Sequence, residues 1–337
     1  MGEIIRIGVD TSKRFFQVHG VNAAEERVLR KKLQRSEVEQ FFAALAPTVI
    51  GLEACGAGHH WARVFQRLGH EARLLPPQYV KPYVKRGKND AADAEAICEA
   101  MSRPSMRFVP IRTAENQAEL MLHGARDLLI KQRTMLTNAI RGHAAEFGIA
   151  GARGIGRVAS LLERIAAAAT VPPLAREIFA QLGEQLEQLE ERLRALEKKL
   201  LAWHRSEERS RRLATIPGIG PIGASALAMK VPDPAAFRSG RHFAAWLGLT
   251  PKDHSTAGRQ RLGVITRAGD ETLRRLLVSG AMATIRHAKP GRASPWLLAL
   301  LARKPKKLAA VALANRTARI AWAIMMRGEV YRRPMPA

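Results

Sequence analysis

Short apolar runs separated by polar turns fill roughly the first 110 residues of the chain. Runs with the alternating or continuous apolar character of strands occur at 4–10, 15–21, 27–33, 48–54 and 71–77. Helical periodicity covers 36–45, which opens with Ser36 as the expected N-cap, and 59–69, which Gly69 closes. The order β-β-β-α-β-α-β predicts a mixed α/β domain.

Two long helices are predicted after this domain. The first bears arginines and runs from Thr113 to about Phe147, and the second begins near Leu174. In the second helix, apolar residues recur at alternating spacings of three and four: Phe179, Leu182, Leu186, Leu189, Leu193, Leu196, Leu200 and Trp203. This heptad pattern predicts a coiled-coil hairpin or an oligomerising stalk, and the alternative is a helix packed on its own domain.

The last third of the chain changes character. Glycine-rich turns, arginines and short helical patterns occupy 210–290, and 304–328 has the pattern of a closing helix. "IPGIGPIGA" (216–224) is typical of a helix-hairpin-helix turn, whose backbone N–H groups bind phosphate, or of a plain helix–helix turn. We therefore predict three regions: an α/β domain at 1–112, long helices at 113–208 and a mainly α domain at 209–337.

Charge indicates the class of partner. The chain has 55 Lys+Arg against 30 Asp+Glu, a net charge of +25, and from Leu201 onward there are 25 basic and 7 acidic residues. This balance favours nucleic acid, with phosphate contacts concentrated in the C-terminal half. Cys55 and Cys98 are too few for a disulfide framework, which fits a reducing cytoplasm. With neither a signal-peptide order nor a long apolar stretch, we expect a soluble protein without membrane contact.

Two acidic residues end predicted strands in this basic chain. Asp10 closes the strand at 4–10 and Glu53 closes the strand at 48–53. Each follows a glycine by two positions, Gly8 and Gly51, so glycine and acid share one face of the strand. The missing side chain leaves room on that face for something bulky to approach.

A second acidic pair lies in "KNDAADAEA" (88–96). On a helix starting near Asn89, Asp90 and Asp93 share a face at i and i+3, and such a pair is costly unless a cation neutralises it. Oxygen ligands without His or Cys favour Mg²⁺ or Mn²⁺. Together with the strand-end acids, the pair predicts a two-metal site for chemistry at a phosphodiester. Taken singly, each acid also fits an exposed residue or a helix cap.

The motifs "IGVDTSK", "GLEACG" and "KNDAADAEAI" resemble the N-terminal DEDD domain of insertion-sequence transposases of the IS one-ten family, relatives of the Piv DNA invertase. The resemblance continues through "LATIPGIGPIGASALAM" and "FAAWLGLTPKDHSTAGRQRLGVITRAGDETLRRLL". It implies a RuvC-like, ribonuclease H-type fold for the first domain. It also implies the functional residues: Asp10, Glu53, Asp90 and Asp93 as metal ligands and Ser255 as nucleophile.

The residues around Ser255 are basic and polar. "DHSTAGRQR" places it beside His254, a candidate to activate its hydroxyl, and near Arg259 and Arg261. By pattern alone, the segment favours an ordinary loop serine. Candidate phosphate contacts, or alternatively parts of a solvated basic face, are Arg259, Arg261, Arg267, Arg274 and Arg275. Candidates for an RNA or DNA backbone on the first long helix are Arg126, Arg133 and Arg141.

The resemblance implies a DNA recombinase of the bacterial cytoplasm, associated with the nucleoid. Its serine would leave a 5′-phosphoserine link and a free 3′-hydroxyl, and strand exchange would conserve the bond energy. A dimer or tetramer would act on donor and target DNA chosen by a structured noncoding guide RNA, the bridge RNA. Two alternatives remain open from the residues: a hydrolytic RuvC-like junction resolvase or nuclease that uses water, and a non-catalytic nucleic-acid-binding assembly protein.

Overall fold

The computed structural model describes residues 3–85, 90–256, 258–291 and 293–332 of the 337-residue chain. Lys88 and Asn89 of the predicted acidic motif and Ala257 of the serine segment lie outside the described residues. The chain divides into two compact units, Met1–Gln117 and Ala118–Ala337. The three-region division remains a prediction.

Within the described part of the first unit, five strands and four α-helices precede the first long helix. In chain order they are β1 (Arg6–Thr11), β2 (Phe15–Val21), β3 (Arg27–Gln34), α1 (Val38–Ala43), β4 (Val49–Glu53), α2 (Gly58–Arg67), β5 (Glu71–Leu75), α3 (Pro77–Val80) and α4 (Asp90–Ala100). The predicted order of strands and helices is confirmed through β5. Gly69 follows α2 with φ of +91°, as the prediction of a glycine-closed helix requires.

The five strands form one mixed sheet in the order β3-β2-β1-β4-β5. β1 pairs antiparallel with β2 and parallel with β4, and β4 pairs parallel with β5. Phe16, Phe42 and Phe65 lie in an apolar core that joins the sheet to α1 and α2. A second apolar cluster contains Ile97 of α4 and Leu75 of β5. These two cores account for the continuous apolar runs of the central strands.

The prediction of Ser36 as an N-cap is wrong. The chain leaves β3 directly into a 3₁₀ turn, Arg35–Glu37, whose N-cap is Gln34. The Gln34 backbone N–H donates to the Glu37 carboxylate at 2.6 Å. Glu37, at the third position of the turn, closes the capping box from its side, and the N-cap position lies at Gln34, two residues before Ser36.

The two long helices and the remaining elements form the mostly helical part of the chain. They are α5 (Ala114–Glu146), α6 (Val158–Ala167), α7 (Pro173–Ser206), α8 (Glu208–Leu213), α9 (Pro221–Lys230), α10 (Gly240–Trp246), β6 (Pro251–Asp253), β7 (Leu262–Ile265), α11 (Glu271–Arg286), α12 (Pro295–Arg303) and α13 (Lys306–Arg327). The two long helices and the closing helix are confirmed. Among the described residues, no helix is both long and apolar enough to cross a membrane.

The leucine seam of α7 is covered within one chain. Leu186 and Leu189 share an apolar cluster with Leu136 and Ile140 of α5. A polar contact joins the same two helices, because the Trp203 Nε1–H donates to Glu119 at 2.8 Å. The seam leucines therefore stabilise a helix pair inside the chain, and a role of α7 in assembly remains a prediction.

The C-terminal core surrounds α13, whose buried face is rich in alanine and packs closely on α11 and α10. The predicted helix-hairpin-helix turn lies between α8 and α9. A Cβ at Gly218 would lie 2.7 Å from Thr284 Oγ1, and one at Gly280 would lie 1.8 Å from the Gly218 carbonyl oxygen. The turn is thus packed against α11, and its binding of phosphate remains a prediction.

Candidate metal centre and serine hairpin

The strand-end acids lie side by side at one edge of the sheet. β1 and β4 are parallel, with Val9 opposite Leu52, so Asp10 and Glu53 follow at the same level. Both carboxylates are half-buried. Parallel strands that end together bring two acids from distant sequence positions to one place.

Two glycines allow α4 to approach this edge. A Cβ at Gly8 would lie 2.2 Å from the Ala94 carbonyl oxygen, and a Cβ at Gly51 would lie 2.4 Å from Met101 Sδ. A side chain at Gly8 would meet the backbone of α4 and push the helix off the sheet, whereas the flexible side chain of Met101, which follows α4, can move away from one at Gly51. The bulky element predicted to occupy the space above the glycines is therefore α4, which carries Asp90 and Asp93 in its first turn.

Three of the four predicted acids converge. The carboxylates of Asp10, Asp90 and Asp93 offer oxygen atoms that all lie within 4.8 Å of one another. Asp10 and Asp93 are half-buried, while Asp90 is exposed. Glu53 is not a member of this group, but it interacts electrostatically with Asp10 and Asp93. The structure thus forms a cluster of three aspartates with Glu53 beside it.

The cluster is electrostatically strained. Burial, then the neighbouring Asp93 and Asp90, raises the pKa of Asp10 to about 6 from an ordinary value of 3.8. Burial, then Asp10 and Asp93, also raises the pKa of Glu53. The N-terminus of α4 favours acids in its first turn, but this accounts only for Asp90 and Asp93. Asp10 is not on this helix, so its repulsion by Asp90 and Asp93 must be offset in another way. A bound cation would supply the positive charge that does this.

The donor set fits a hard divalent cation. Every contributing atom is a carboxylate oxygen, the ligand type that Mg²⁺ and Mn²⁺ prefer. Oxygens on opposite sides of a Mg²⁺ ion are about 4.2 Å apart, given a metal–oxygen distance of about 2.1 Å. The spread of up to 4.8 Å among the three aspartates is close to this span. A small contraction would let all three coordinate one ion.

Ser255 lies in the turn of the hairpin formed by β6 and β7, in the second unit. The Arg261 backbone N–H donates to Ser255 Oγ at 3.0 Å, and the Ser255 backbone N–H donates to Asp253 Oδ1 at 2.8 Å. The residue is exposed. We call this segment, 251–265, the serine hairpin.

Asp253 is the side-chain partner of Ser255. Hydrogen bonds from the Ser255 hydroxyl and backbone hold the pKa of Asp253 below its ordinary value. His254, the predicted activator, places its ring 3.3 Å from the Cβ position of Gly263, and no hydrogen bond joins it to Ser255 among the described residues. Sequence reasoning missed Asp253, although an aspartate two residues before a serine is the usual signal of an Asx turn.

The predicted phosphate contacts on α5 are partly engaged inside the protein. Arg126 forms a salt bridge with Glu197 at 2.8 Å, and Arg141 donates to two carbonyls of the 150–154 loop. Arg133 has a buried Nε atom. These side chains stabilise the helical region, which reduces what they offer to nucleic acid.

The C-terminal arginines divide into two groups. Arg274 donates to two backbone carbonyls, and Arg275 pairs with Asp127 at 2.6 Å. The others are exposed and have no salt bridge to an acid within the described part of the chain: Arg259, Arg261 and Arg267. Of these five arginines, the three without an acidic partner in the described part of the chain therefore lie on or beside the serine hairpin.

Two family models match the regions that carry these features. A DEDD domain of the IS110 type, described as "Transposase", matches residues 7–148, and so contains the acidic cluster. The model described as "Transposase IS116/IS110/IS902 family" matches residues 210–295 and so contains the serine hairpin.

Similar proteins extend over nearly the whole chain. "Putative transposase y4pF/y4sB" of Sinorhizobium fredii is 61% identical over 98% of this chain and 86% of its own length. "Probable family 20 transposase" of Pseudomonas aeruginosa is 49% identical over 97% of this chain and 98% of its own. "Transposase for insertion sequence element IS1328" of Yersinia enterocolitica is 39% identical over 98% and 99%. Identity of this extent, with both family models matched, shows that the chain belongs to the IS110/IS116/IS902 family of insertion-sequence transposases.

Proposed function

We propose that this transposase cuts and exchanges DNA strands with a divalent metal held by the acidic cluster and with Ser255 as the nucleophile. The convergence of Asp10, Asp90 and Asp93 within 4.8 Å carries the proposal. Such a cluster opposes the binding of a polyanion unless a cation is present, so it has no use in a purely DNA-binding protein. A RuvC-like, ribonuclease H-type domain is consistent with the mixed sheet that presents it.

Asp10, Asp90 and Asp93, with Glu53 beside them, would hold Mg²⁺ or Mn²⁺. When bound, the metal supplies positive charge that polarises the scissile phosphate and stabilises the attacking and leaving oxygens. The protein residues fix the position of that charge, because Asp10 belongs to the sheet and the other two belong to a helix packed closely on it. The negative charges of the carboxylates also attract the cation, which would keep it at the position where the phosphodiester reacts.

Ser255 performs the covalent step. Its Oγ attacks phosphorus, the bond from phosphorus to the 3′ oxygen breaks, and the 3′ oxygen leaves as a hydroxyl while the 5′ phosphate stays on the serine. Asp253 accepts the hydrogen bond of the Ser255 hydroxyl and so orients its proton. A carboxylate of lowered pKa is a weak base, so orientation is its larger contribution. Attack by another strand's 3′-hydroxyl reverses the step and releases Ser255.

Assembly into a dimer or tetramer is supported by a stripe on α5 rather than by the α7 seam. Met121, Leu128 and Met135 lie seven residues apart and are 71%, 55% and 70% exposed. The residues between them on the same face, Ala125 and Gln132, are small or polar. This is the spacing of a coiled-coil seam, and α5 of a second copy presents a matching stripe.

A structured guide RNA for donor and target DNA is supported by the family resemblance and by the strongly basic C-terminal half. Basic surface suits either nucleic acid, so we treat the guide as part of the proposal.

A trapped covalent intermediate tests the mechanism. The full chain is incubated with Mg²⁺, RNA transcribed from the DNA flanking the gene, and duplexes of that DNA nicked near the cleavage site. We expect a protein–DNA adduct that survives SDS and disappears with protease, and peptide mass spectrometry should locate it on Ser255. Ser255→Ala should abolish the adduct and keep metal binding. Asp90→Asn should abolish cleavage and weaken Mn²⁺ binding, because it removes charge without changing size.

Neighbouring hydroxyls provide matched controls. Thr256→Val and Ser279→Ala should both retain the adduct, and an adduct on Thr256 would contradict the assignment. Efficient cleavage to free 5′-phosphates without any adduct would indicate a hydrolytic nuclease. DNA binding without cleavage under any of these conditions would indicate a non-catalytic assembly protein.

A further inference from the structure

A large groove crosses the second unit beside the serine hairpin. Its walls are the serine hairpin, α12, α13 and the start of α10, and its volume is about 1810 Å³. Pro251 and Val264 of the hairpin belong to its lining, as do Trp296 of α12 and Leu308 of α13. A molecule lying in this groove would therefore run along the hairpin that carries Ser255.

The charged residues of the groove are all basic. They are Arg241, Arg267, Lys304, Lys307, Arg316 and Arg319. No aspartate or glutamate lines the groove among the described residues, and none of these six forms a salt bridge with an acid there. Six cations without a counter-charge indicate a polyanionic ligand.

The floor of the groove is apolar and partly aromatic. Trp296 is 36% exposed, and the Arg316 guanidinium lies 4.7 Å from the centre of its ring. Leu308 and Val264 are also exposed. A duplex hides the faces of its bases and would use only the basic rim, whereas unpaired bases stack on aromatic rings and contact apolar side chains. The combination of floor and rim therefore favours a single strand.

The backbone at Arg267 provides a separate indication. Its φ is +57°, in the left-handed region where a non-glycine residue costs about 1 kcal/mol or more. Backbone hydrogen bonds hold the segment in this conformation, from Arg267 N–H to the Gly248 carbonyl and from Thr266 N–H to the Thr250 carbonyl. Glycine would adopt this conformation without strain, but it would not place a charged side chain in the lining of the groove, as Arg267 does.

We propose that this groove binds an unpaired segment of nucleic acid, with bases on Trp296 and the apolar floor and phosphates on the basic rim. The shared ligand chemistry is a flexible polyanion with exposed bases, supplied either by DNA opened during strand exchange or by an unpaired stretch of RNA. The groove is complete within one unit, so the proposal stands whether or not Ser255 is the nucleophile.

Fluorescence anisotropy of the full chain tests the groove with three probes: a 20-nucleotide oligo-dT, the matching oligo-rU and a 20-base-pair duplex. Trp296→Ala should weaken binding of the single-stranded probes by about five- to 100-fold, the usual effect of losing one stacking platform. Duplex binding should change less than about twofold. The better of the two single strands identifies the source of the natural ligand.

Matched variants separate stacking from charge and from folding. Trp296→Phe should keep most of the binding, since a stacking surface remains. Lys307→Gln should reduce the salt dependence of single-strand binding, lowering the slope of log K against log salt concentration by about 0.7. Arg303 is an exposed cation outside the groove, and Arg303→Gln should leave this slope unchanged. Circular dichroism checks that each variant folds.

Three results would overturn the proposal. Unchanged single-strand binding by Trp296→Ala would remove the stacking role. Equal losses for duplex and single strand would assign the groove to a duplex backbone. A fall in particle mass on mutation of Trp296, with binding of the probes unchanged, would assign the face to contact between copies of the chain.

Discussion

Replacement of Asp10 by asparagine tests whether the acidic cluster is poised for a cation. The folded-state pKa of Asp10 is raised to about 6, against 3.8 for an ordinary aspartate. Between these two values the folded protein binds more protons than the unfolded chain, so the free energy of unfolding falls as pH rises through this window. Above about pH 6 the full cost of the ionised carboxylate is present, and Asp10→Asn removes it.

The magnitude follows from the shift. About two pKa units correspond to roughly 3 kcal/mol at about 1.36 kcal/mol per unit. Asp10 is only half-buried, so solvent screens part of this cost, and we expect about 1 to 2 kcal/mol. In EDTA at about pH 7.5, Asp10→Asn should therefore be more stable than the wild type by this amount. Below about pH 4 the difference should vanish.

Metal should reverse the comparison. A cation that binds only the folded state stabilises it by about 2.7 kcal/mol at 100 times its Kd. The wild type should gain this stability from Mg²⁺ or Mn²⁺, and Asp10→Asn should gain little. Because the chain has two units, hydrogen exchange of peptides from β1 and α4 measures the local free energy better than one global transition.

Glu99→Gln is the control on the same helix. Glu99 pairs with Arg103 at 2.7 Å, and we expect its variant to respond to pH and metal as the wild type does. If Asp10→Asn were less stable than the wild type in EDTA at about pH 7.5, the ionised carboxylate would be stabilising the fold. The cluster would then be stable without a cation, and its acids would not indicate a metal site.

Three further changes test positioning, assembly and the serine. Gly8→Ala should lower the free energy of urea unfolding by about 1 to 3 kcal/mol and weaken Mn²⁺ binding, because its Cβ would lie 2.2 Å from a backbone oxygen of α4. Gly56→Ala is the control: its Cβ would have nothing within 4 Å, so stability and Mn²⁺ binding should not change. Leu128→Glu should fold normally and give a smaller particle in light scattering, and an unchanged mass would exclude the α5 stripe as an assembly contact. Leu189→Glu, at a buried position, should lower the free energy of unfolding by about 3 kcal/mol or more. Asp253→Asn should slow adduct formation without weakening DNA binding, and an unchanged rate would remove Asp253 from the reaction.

The succession of strands along the chain and the places of Asp10 and Glu53 at strand ends follow from sequence because both depend on local pattern. Apolar runs of the right length predicted the five strands, and parallel neighbours necessarily bring Asp10 and Glu53 to one edge. Ser36 is not the cap because the N-cap lies two residues earlier, at Gln34, a shift that propensity does not resolve.

Partners distant in sequence limited the remaining predictions. The Arg275–Asp127 pair joins residues 148 positions apart, so no local pattern indicates that this arginine is already engaged. The same holds for the α7 leucines, whose heptad spacing is equally suited to a partner helix in the same chain or in another. The exposed stripe on α5 was missed because small residues between Met121, Leu128 and Met135 weaken its apolar periodicity.

The packing of α4 explains how repelling acids can be held together before any cation arrives. The helix is anchored by Ile97 and Ala100, which are buried in an apolar cluster, and by its close approach to Gly8. Repulsion between Asp10 and the acids of the first turn is opposed along the whole helix, since separating them requires lifting this buried face from the sheet. A cation would therefore meet ligands already in place, and little of its binding free energy would be lost to reorganisation. Ala94 serves this end, because it is buried where α4 comes closest to Gly8, and a larger side chain there would hold the helix away from the strand that carries Asp10.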